Sequence, residues 1–198
     1  IDRISPEAPV QVVKAVRETY APGGAANVAN NVAALGGNVY IVGYAGEDDA
    51  KEILITEMNN IGINTDGIFI DAEKPTIQKV RVIGRNQQLL RLDYENSEKT
   101  NGEIEMGILN YISDNIDLFE GVIISDYAKG IVNEKTAGEI IKLCNENGKI
   151  IVVDPKPKHK NLYKNTTLIT PNHTEALGMS GMVDKNNKAP ILSNRIFS

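Results

Sequence analysis

The sequence predicts an α/β fold, a doubly wound and mostly parallel sheet flanked by helices, with a small β-sheet lid. Three observations carry that prediction. Short apolar runs bounded by glycine or polar residues alternate with stretches of helical periodicity, as when buried parallel strands are joined by crossover helices. A Pro22-Gly23-Gly24 turn opens a helix of small residues, and Gly36-Gly37 closes it. In the middle of the chain the rhythm gives way to strict alternation around Gly84-Arg85-Asn86, which reads as an antiparallel hairpin.

The elements follow in order. Residues 1–20 contain Pro6, Pro9 and a run at 10–16 rich in β-branched side chains, so an extended or hairpin strand is predicted there. Residues 21–37 form the small-residue helix. Gly24, Asn27 and Asn31 stand at i, i+3 and i+7 and share one stripe. A helix start leaves N–H groups aimed outward, and the Asn27 amide in the first turn can donate to and accept from hydroxyls. The alternative is a helix packed tightly on a sheet, its glycines serving as turn and cap. Residues 38–43 read as a buried strand, 49–60 as a helix with acidic residues in its first turn, and 63–70 as another strand.

The hairpin pairs 75–83 with 87–94. Ile77, Lys79, Arg81 and Ile83 point one way, and Thr76, Gln78, Val80 and Val82 the other, leaving a polar, cationic face. Together with residues 1–20 it can form a small sheet over the main body. The α/β rhythm then resumes with helix 102–115, strand 121–125, helix 133–147 closed by Asn147-Gly148, strand 149–154 and strand 167–170. From residue 178 onward the chain is polar and rich in Gly and Asn, so 179–198 is expected to be a frayed tail. The lid segments are thus about 1–20 and 74–95, and the core about 21–73 and 96–178, in a single domain.

Composition narrows the function. The chain has 198 residues, 41 % hydrophobic and 24 % charged, which suits one soluble domain. A net charge of −5 with no Lys/Arg cluster argues against a nucleic-acid partner. No apolar run reaches the roughly 18 residues of a membrane helix. The single cysteine, Cys144, excludes an internal disulfide framework, suits a reducing cytoplasm and falls in a helical apolar pattern as buried filler. Two histidines, His159 and His173, do not make a transition-metal site. No signal peptide is visible, and because the chain begins at Ile1 rather than Met there is room for a preceding segment.

Three polar motifs follow directly on apolar strands: Asp126-Tyr-Ala-Lys-Gly130, Asp154-Pro-Lys156 and Asn172-His-Thr-Glu175. Ligands of parallel α/β sheets gather outside the carboxyl ends of the strands. Three such motifs, each joining a carboxylate to Lys or to Asn and His, point to a phosphate-plus-metal site. Each also has a plain reading. Asn172 and Glu175 fit a capping box, Asp126 and Asp154 fit turns, and Lys129 and Lys156 fit solvated surface charges. Arg81, Arg85 and Arg91 fit either a solvated strand face or a grip on an anionic substrate.

Six runs carry a family resemblance: Pro22-Gly-Gly-Ala-Ala-Asn-Val-Ala, Val42-Gly-Tyr-Ala-Gly-Glu-Asp, Arg85-Asn-Gln-Gln-Leu-Leu-Arg-Leu-Asp93, Ser125-Asp-Tyr-Ala-Lys-Gly130, Asp154-Pro-Lys and Thr170-Pro-Asn-His-Thr-Glu. Across about residues 1–178 the chain resembles the ribokinase-like (PfkB) carbohydrate kinases. Within them the combination of Arg3-Ile-Ser-Pro-Glu-Ala-Pro-Val, the Arg85-Asn-Gln-Gln run and Ser125-Asp-Tyr-Ala-Lys-Gly130 is most similar to the heptose-phosphate kinases of ADP-heptose biosynthesis, which are often the N-terminal half of a bifunctional protein. The resemblance implies transfer of the ATP γ-phosphoryl group, with Mg²⁺, to the anomeric hydroxyl of a heptose 7-phosphate. It implies sugar binding by Gly23, Gly24 and Asn27, and substrate contacts from Arg81, Gln87, Arg91, Asp126 and Lys129, with Gln88 as a further lid candidate for the sugar phosphate. It places Lys156, Asn172 and Glu175 at the nucleotide phosphates, Glu175 also serving the metal through water. A cytoplasmic homodimer joined through the β lid is implied as well. The family's Gly-Ala-Gly-Asp motif, which supplies the anion hole and catalytic base, does not occur in these residues, so no catalytic residue is assigned. The chain is therefore expected to be a kinase domain cut short at both ends. A non-catalytic sugar-phosphate-binding module, or a kinase of the same fold acting on another sugar, are the alternatives.

Overall fold

The computed structural model describes residues 3–9, 11–84, 86–96 and 100–181. The elements run β1 (Arg3–Ile4), β2 (Gln11–Val12), α1 (Gly24–Ala34), β3 (Tyr40–Gly46), α2 (Asp49–Asn60), β4 (Asn64–Asp71), β5 (Gln78–Gly84), β6 (Gln87–Tyr94), α3 (Gly102–Asp114), β7 (Gly121–Ser125), α4 (Glu134–Glu146), β8 (Ile150–Asp154), β9 (Leu168–Ile169) and α5 (His173–Ser180). A 3-10 segment, Pro157–Tyr163, joins β8 to β9. No helix among the described residues is long and apolar enough to cross a membrane.

Two parallel ladders form the body, β3–β4 and β7–β8–β9. Side-chain alternation along β3 shows why helices flank both faces. Ile41 packs with Ala26, Ala29, Met58 and Ile63 of α1, α2 and the start of β4's approach. Val42 and Tyr44 pack into the larger cluster of Ile104, Ile108, Ile112, Ile140, Ile141, Ile151 and Val153. Ile104, Ile108 and Ile112 recur every four residues and so share one side of α3. Cys144 sits in the same cluster with no exposed surface, and burial pushes its thiol pKa up. The expectation of strands buried on both faces holds only in part. Register places Ile123, Val152 and Leu168 on one face of the β7–β9 ladder, and Ile123, Ile150 and Leu168 remain exposed there. The opposite face, with Ile124, Ile151 and Val153, fills the core.

The lid differs from its sequence expectation. β5 and β6 pair antiparallel as predicted, but β1 and β2 form a separate two-stranded ladder rather than joining them. The predicted strand at 10–16 shortens to Gln11–Val12, and Val13 and Val16 are exposed. β-Branched residues favour a strand only when neighbours cover them, and these have little cover. Val10, Arg85 and residues 182–198 of the expected tail lie outside the described residues.

The hairpin is rooted in the core through Asp48. Its Oδ1 accepts from the Lys51 N–H at 3.0 Å, capping α2, while its Oδ2 accepts from the Thr76 N–H at 2.8 Å. The Thr76 hydroxyl in turn accepts from the Gly46 N–H at 2.9 Å. This close approach requires glycine at position 46, because a Cβ there would lie 2.3 Å from the Lys74 carbonyl oxygen and 2.5 Å from the Thr76 nitrogen. Both obstacles are backbone and cannot rotate away. Gly46→Ala is therefore expected to lower unfolding stability by about 1–3 kcal/mol, measured by urea denaturation. An unchanged midpoint would show that the 74–76 segment is not held against β3.

Candidate active site

Because β7, β8 and β9 are parallel neighbours, their carboxyl-terminal loops lie side by side. The chemistry predicted from sequence converges there. Asn172 caps α5 and its Oδ1 accepts from the Glu175 N–H at 2.9 Å. Glu175 returns the bond, its Oε2 accepting from the Asn172 N–H at 3.0 Å. The other oxygen, Oε1, accepts from the Lys156 ammonium at 2.5 Å. Cap and ion pair are thus one arrangement, in which each carboxylate oxygen has its own task.

This pairing orders the local charges. Burial alone would raise the Glu175 pKa, but the bond from Lys156 and the backbone bond from Asn172 outweigh it and hold the carboxyl below its ordinary value. Lys156 is held above its ordinary value, chiefly by its bond to Glu175. Asp154, beside them, is raised, first by burial and then by the neighbouring charge of Glu175. A carboxyl whose pKa is depressed on folding contributes stability above its unfolded value, and that contribution disappears as pH falls through the folded value. The Glu175 contribution should therefore vanish on acidification below its ordinary value of 4.5. Asp154 acts in the opposite sense, and because the Glu175 charge contributes to its shift, Glu175→Gln reports the coupled Glu175–Lys156–Asp154 group. Urea melts from pH 7 to pH 3 should show the two proteins converging as the pH drops; a constant gap would exclude the ionic role.

Asp126 lies deeper than the sequence suggested, with no exposed surface. Its Oδ1 accepts from the Ala128 N–H at 2.6 Å, the turn geometry allowed for above, and Ala128 adopts a left-handed φ of 54°. Its Oδ2 accepts from the Tyr163 hydroxyl at 2.5 Å and lies 2.6 Å from His159 Nδ1. Both oxygens of this predicted substrate contact are thus occupied by protein groups. Tyr163 is itself buried, and burial followed by the bond to Asp126 pushes its phenol pKa up.

Tyr127 connects this cluster to the glycine turn. Gly24 begins α1 with φ 53°, and a Cβ there would lie 3.5 Å from the Tyr127 ring. The Lys156 ammonium stands 5.4 Å from the centroid of the same ring. Gly23 is the exposed N-cap of α1, and Asn27 is exposed in its first turn. Sequence reasoning passed over Tyr127, Tyr163 and His159 as site residues. Tyr127 stood inside a quoted motif and was accessible to it; no spacing marked the other two.

Lys79, Arg81, Arg91 and Asp93 share one charged face of the hairpin, and Gln87 falls on the other. Cross-strand register opposes Arg81 to Arg91 and Lys79 to Asp93. Arg91 Nε pairs with Asp93 at 2.9 Å, and Arg81 Nη1 donates to the Lys79 carbonyl at 3.4 Å. Gln87 begins β6 opposite Gly84 and is exposed. Arg81 and Arg91 thus find their described partners within the hairpin. Lys129 instead links core to lid, donating to Glu95 at 2.7 Å. That bond is the main influence holding Glu95 below its ordinary pKa.

An α/β body with a rooted β hairpin over polar strand ends defines a class, and comparison with known proteins agrees. The model of the pfkB family of carbohydrate kinases matches residues 1–194, and the chain belongs to that family. It is 41 % identical over 182 residues to a bifunctional protein HldE of Desulfatibacillum aliphaticivorans, covering 92 % of this chain and 37 % of that protein. It is 40 % identical over 174 residues to the HldE protein of Helicobacter pylori, covering 88 % of this chain and 38 % of the relative. The chain thus spans little more than a third of the length of these curated relatives. In fold it is similar to Arabidopsis thaliana ribokinase complexed with ribose and ATP, with a TM-score of 0.65, 19 % identity and coverage of 94 % of this chain and 59 % of that one.

Proposed function

We propose that the full-length protein is an ATP-dependent sugar kinase that phosphorylates the anomeric hydroxyl of a heptose 7-phosphate. In this reading the chain supplies the sugar-binding turn, the lid and the phosphate-side acid. The observation that carries it is the run Tyr127–Lys156–Glu175, with the Tyr127 ring 3.5 Å from where a Cβ of Gly24 would stand, which sets the glycine turn beside the strand-end charges. Membership of the carbohydrate kinase family supports phosphoryl transfer, and the likeness to the two bifunctional HldE proteins supports a heptose phosphate.

The residues fit their roles chemically. Mg²⁺ keeps several waters and takes one or two carboxylates together with substrate phosphates. The described residues contain no cluster of three or more His, Cys, Asp or Glu that would hold a metal alone. An ionised Glu175 beside Asn172 suits a water-bridged ion carried mainly by the nucleotide. Bound there, Mg²⁺ would neutralise charge on the ATP phosphates. Lys156 brings a compact positive charge to the same phosphates, and the first turn of α1 brings the Asn27 amide to sugar hydroxyls. No residue of this chain is assigned as the proton-accepting base.

The hairpin suits an anionic substrate. Like charges directly opposite across a ladder are destabilising, and Arg81 faces Arg91, so a sugar phosphate between them would relieve the repulsion. A closed lid also excludes water that would otherwise accept the phosphoryl group. The other hairpin face carries Val80, Leu90, Leu92 and Tyr94, all exposed, which supports a homodimer formed through the lid. The lone buried Cys144 is compatible with a reducing cytoplasm.

The test is ATP consumption by the full-length protein across a panel of sugars and sugar phosphates. Turnover with heptose 7-phosphate is expected. Turnover with fructose phosphate or ribose alone would assign a different sugar, and sugar-phosphate binding without turnover would assign a non-catalytic module. Asn27→Ala should raise the sugar KM about tenfold, the loss of roughly one hydrogen bond, while leaving the melting temperature nearly unchanged. The reverse result would make α1 a packing element only. Glu175→Gln should reduce Mg²⁺-dependent turnover with little change in sugar KM, whereas a purely structural cap would lower stability alone.

A further inference from the structure

We propose that Tyr163, backed by Asp126 and His159, is a positioning residue that sets the Lys156–Glu175 pair in place. The inference rests on the reading of that pair as the phosphate side of a kinase site. None of the three residues was assigned this task from sequence, and Asp126 was expected at the substrate.

The geometry centres on the backbone of Lys156. The Tyr163 hydroxyl oxygen accepts from the Lys156 N–H at 3.0 Å. It also donates to Asp126 Oδ2 at 2.5 Å. On the other side of the residue, the His159 N–H donates to the Lys156 carbonyl at 2.9 Å, and the His159 ring is fixed by its contact with Asp126. One residue earlier but one, the Asp154 carbonyl accepts from the Asp126 N–H at 3.0 Å. Three backbone atoms of the segment that delivers the ammonium are therefore held by one buried cluster. Lys156 leaves that cluster to reach Glu175 Oε1 and the Tyr127 ring.

Packing alone does not account for this arrangement. Phenylalanine would fill the same hydrophobic position, yet the hydroxyl is used in both directions, toward Asp126 and toward the Lys156 backbone. Asp126 and Tyr163 have no exposed surface, so they act on a ligand only through the residues they hold. A carboxyl buried beneath the strand ends, with three donors or contacts directed at it, fixes the 126–128 turn and the 154–156 segment relative to each other.

The test is Tyr163→Phe in the full-length protein, read in two ways. Amide hydrogen exchange by NMR reports the clamp directly. The Lys156 N–H should exchange at least several-fold faster in the variant, more than amides of β8 in the core. Steady-state kinetics report the consequence, with kcat falling about tenfold or more and the sugar KM unchanged. His159→Gln, at a partly exposed position, perturbs the cluster from its rim and should produce the same pattern more weakly; it also serves if Tyr163→Phe does not fold. Unchanged exchange at Lys156 would overturn the clamp. Faster exchange with unchanged kcat would overturn the positioning role, as would a kcat loss that disappears when assays are run well below the melting temperature. If the wild-type protein phosphorylates no sugar, the kinase reading fails, while the exchange measurement still judges the clamp by itself.

Discussion

A carboxyl group with no access to water must have its hydrogen bonds supplied by protein, because an unsatisfied one costs several kcal/mol. Asp126 stands in that position at the carboxyl end of β7, and the loops around it are arranged to meet its needs. Ala128, Tyr163 and His159 approach it from two different connections. The result is a rigid junction between the loop after β7 and the segment after β8. Through Lys156 and Glu175 the junction extends to α5, and Tyr127 brings it beside the first residue of α1, where there is room for little more than a Cβ. Parallel strands bring the loops side by side, but the carboxyl group determines how they fit together.

The layers beneath make that junction possible. Alternating side chains on β3 bury Ile41 on one face and Val42 and Tyr44 on the other, so the ladder is fixed from both sides. On the β7–β9 ladder the core side is closely filled by α3 and α4 residues, and Tyr163 and Met179 belong to the same cluster. The 3-10 segment and α5 are therefore anchored in the same apolar core as the strands. Site geometry and core packing share residues here, which is why Tyr163 can serve both.

The parts legible in the sequence were those written in local spacing. Ile104, Ile108 and Ile112 announce a helix face by their four-residue interval, and Asn172 with Glu175 announces a cap by its three-residue interval. The hairpin was legible through its alternation and its Gly84-Arg-Asn turn. What escaped depends on contacts across long separations. Tyr163 meets Asp126 over 37 residues and His159 meets it over 33, and no local pattern encodes either. The strand expected at 10–16 is shorter than its composition suggests for a related reason. Val13 and Val16 have the right intrinsic preference, but the fold brings no covering surface to them. Tyr44 and Lys74, whose ammonium lies 5.6 Å from the ring centroid, likewise meet only because β3 and β4 are paired.

The hairpin combines two kinds of contact of unequal strength. Its root is held by backbone bonds to Asp48 and Thr76, and the Thr76 bond to Gly46 is buried. Its ionic contacts, also close to the base of the hairpin, are solvent-accessible pairs, Lys79 and Arg91 with Asp93, and Lys129 with Glu95. Exposed pairs contribute only about 0–1 kcal/mol each and weaken as salt rises. A hairpin so constructed keeps its register and direction while its charged face remains easily rearranged. The strong constraint lies in the buried junction at the strand ends, where Asp126 has no exposed surface, and the weak one lies in the solvent-accessible ion pairs of the hairpin.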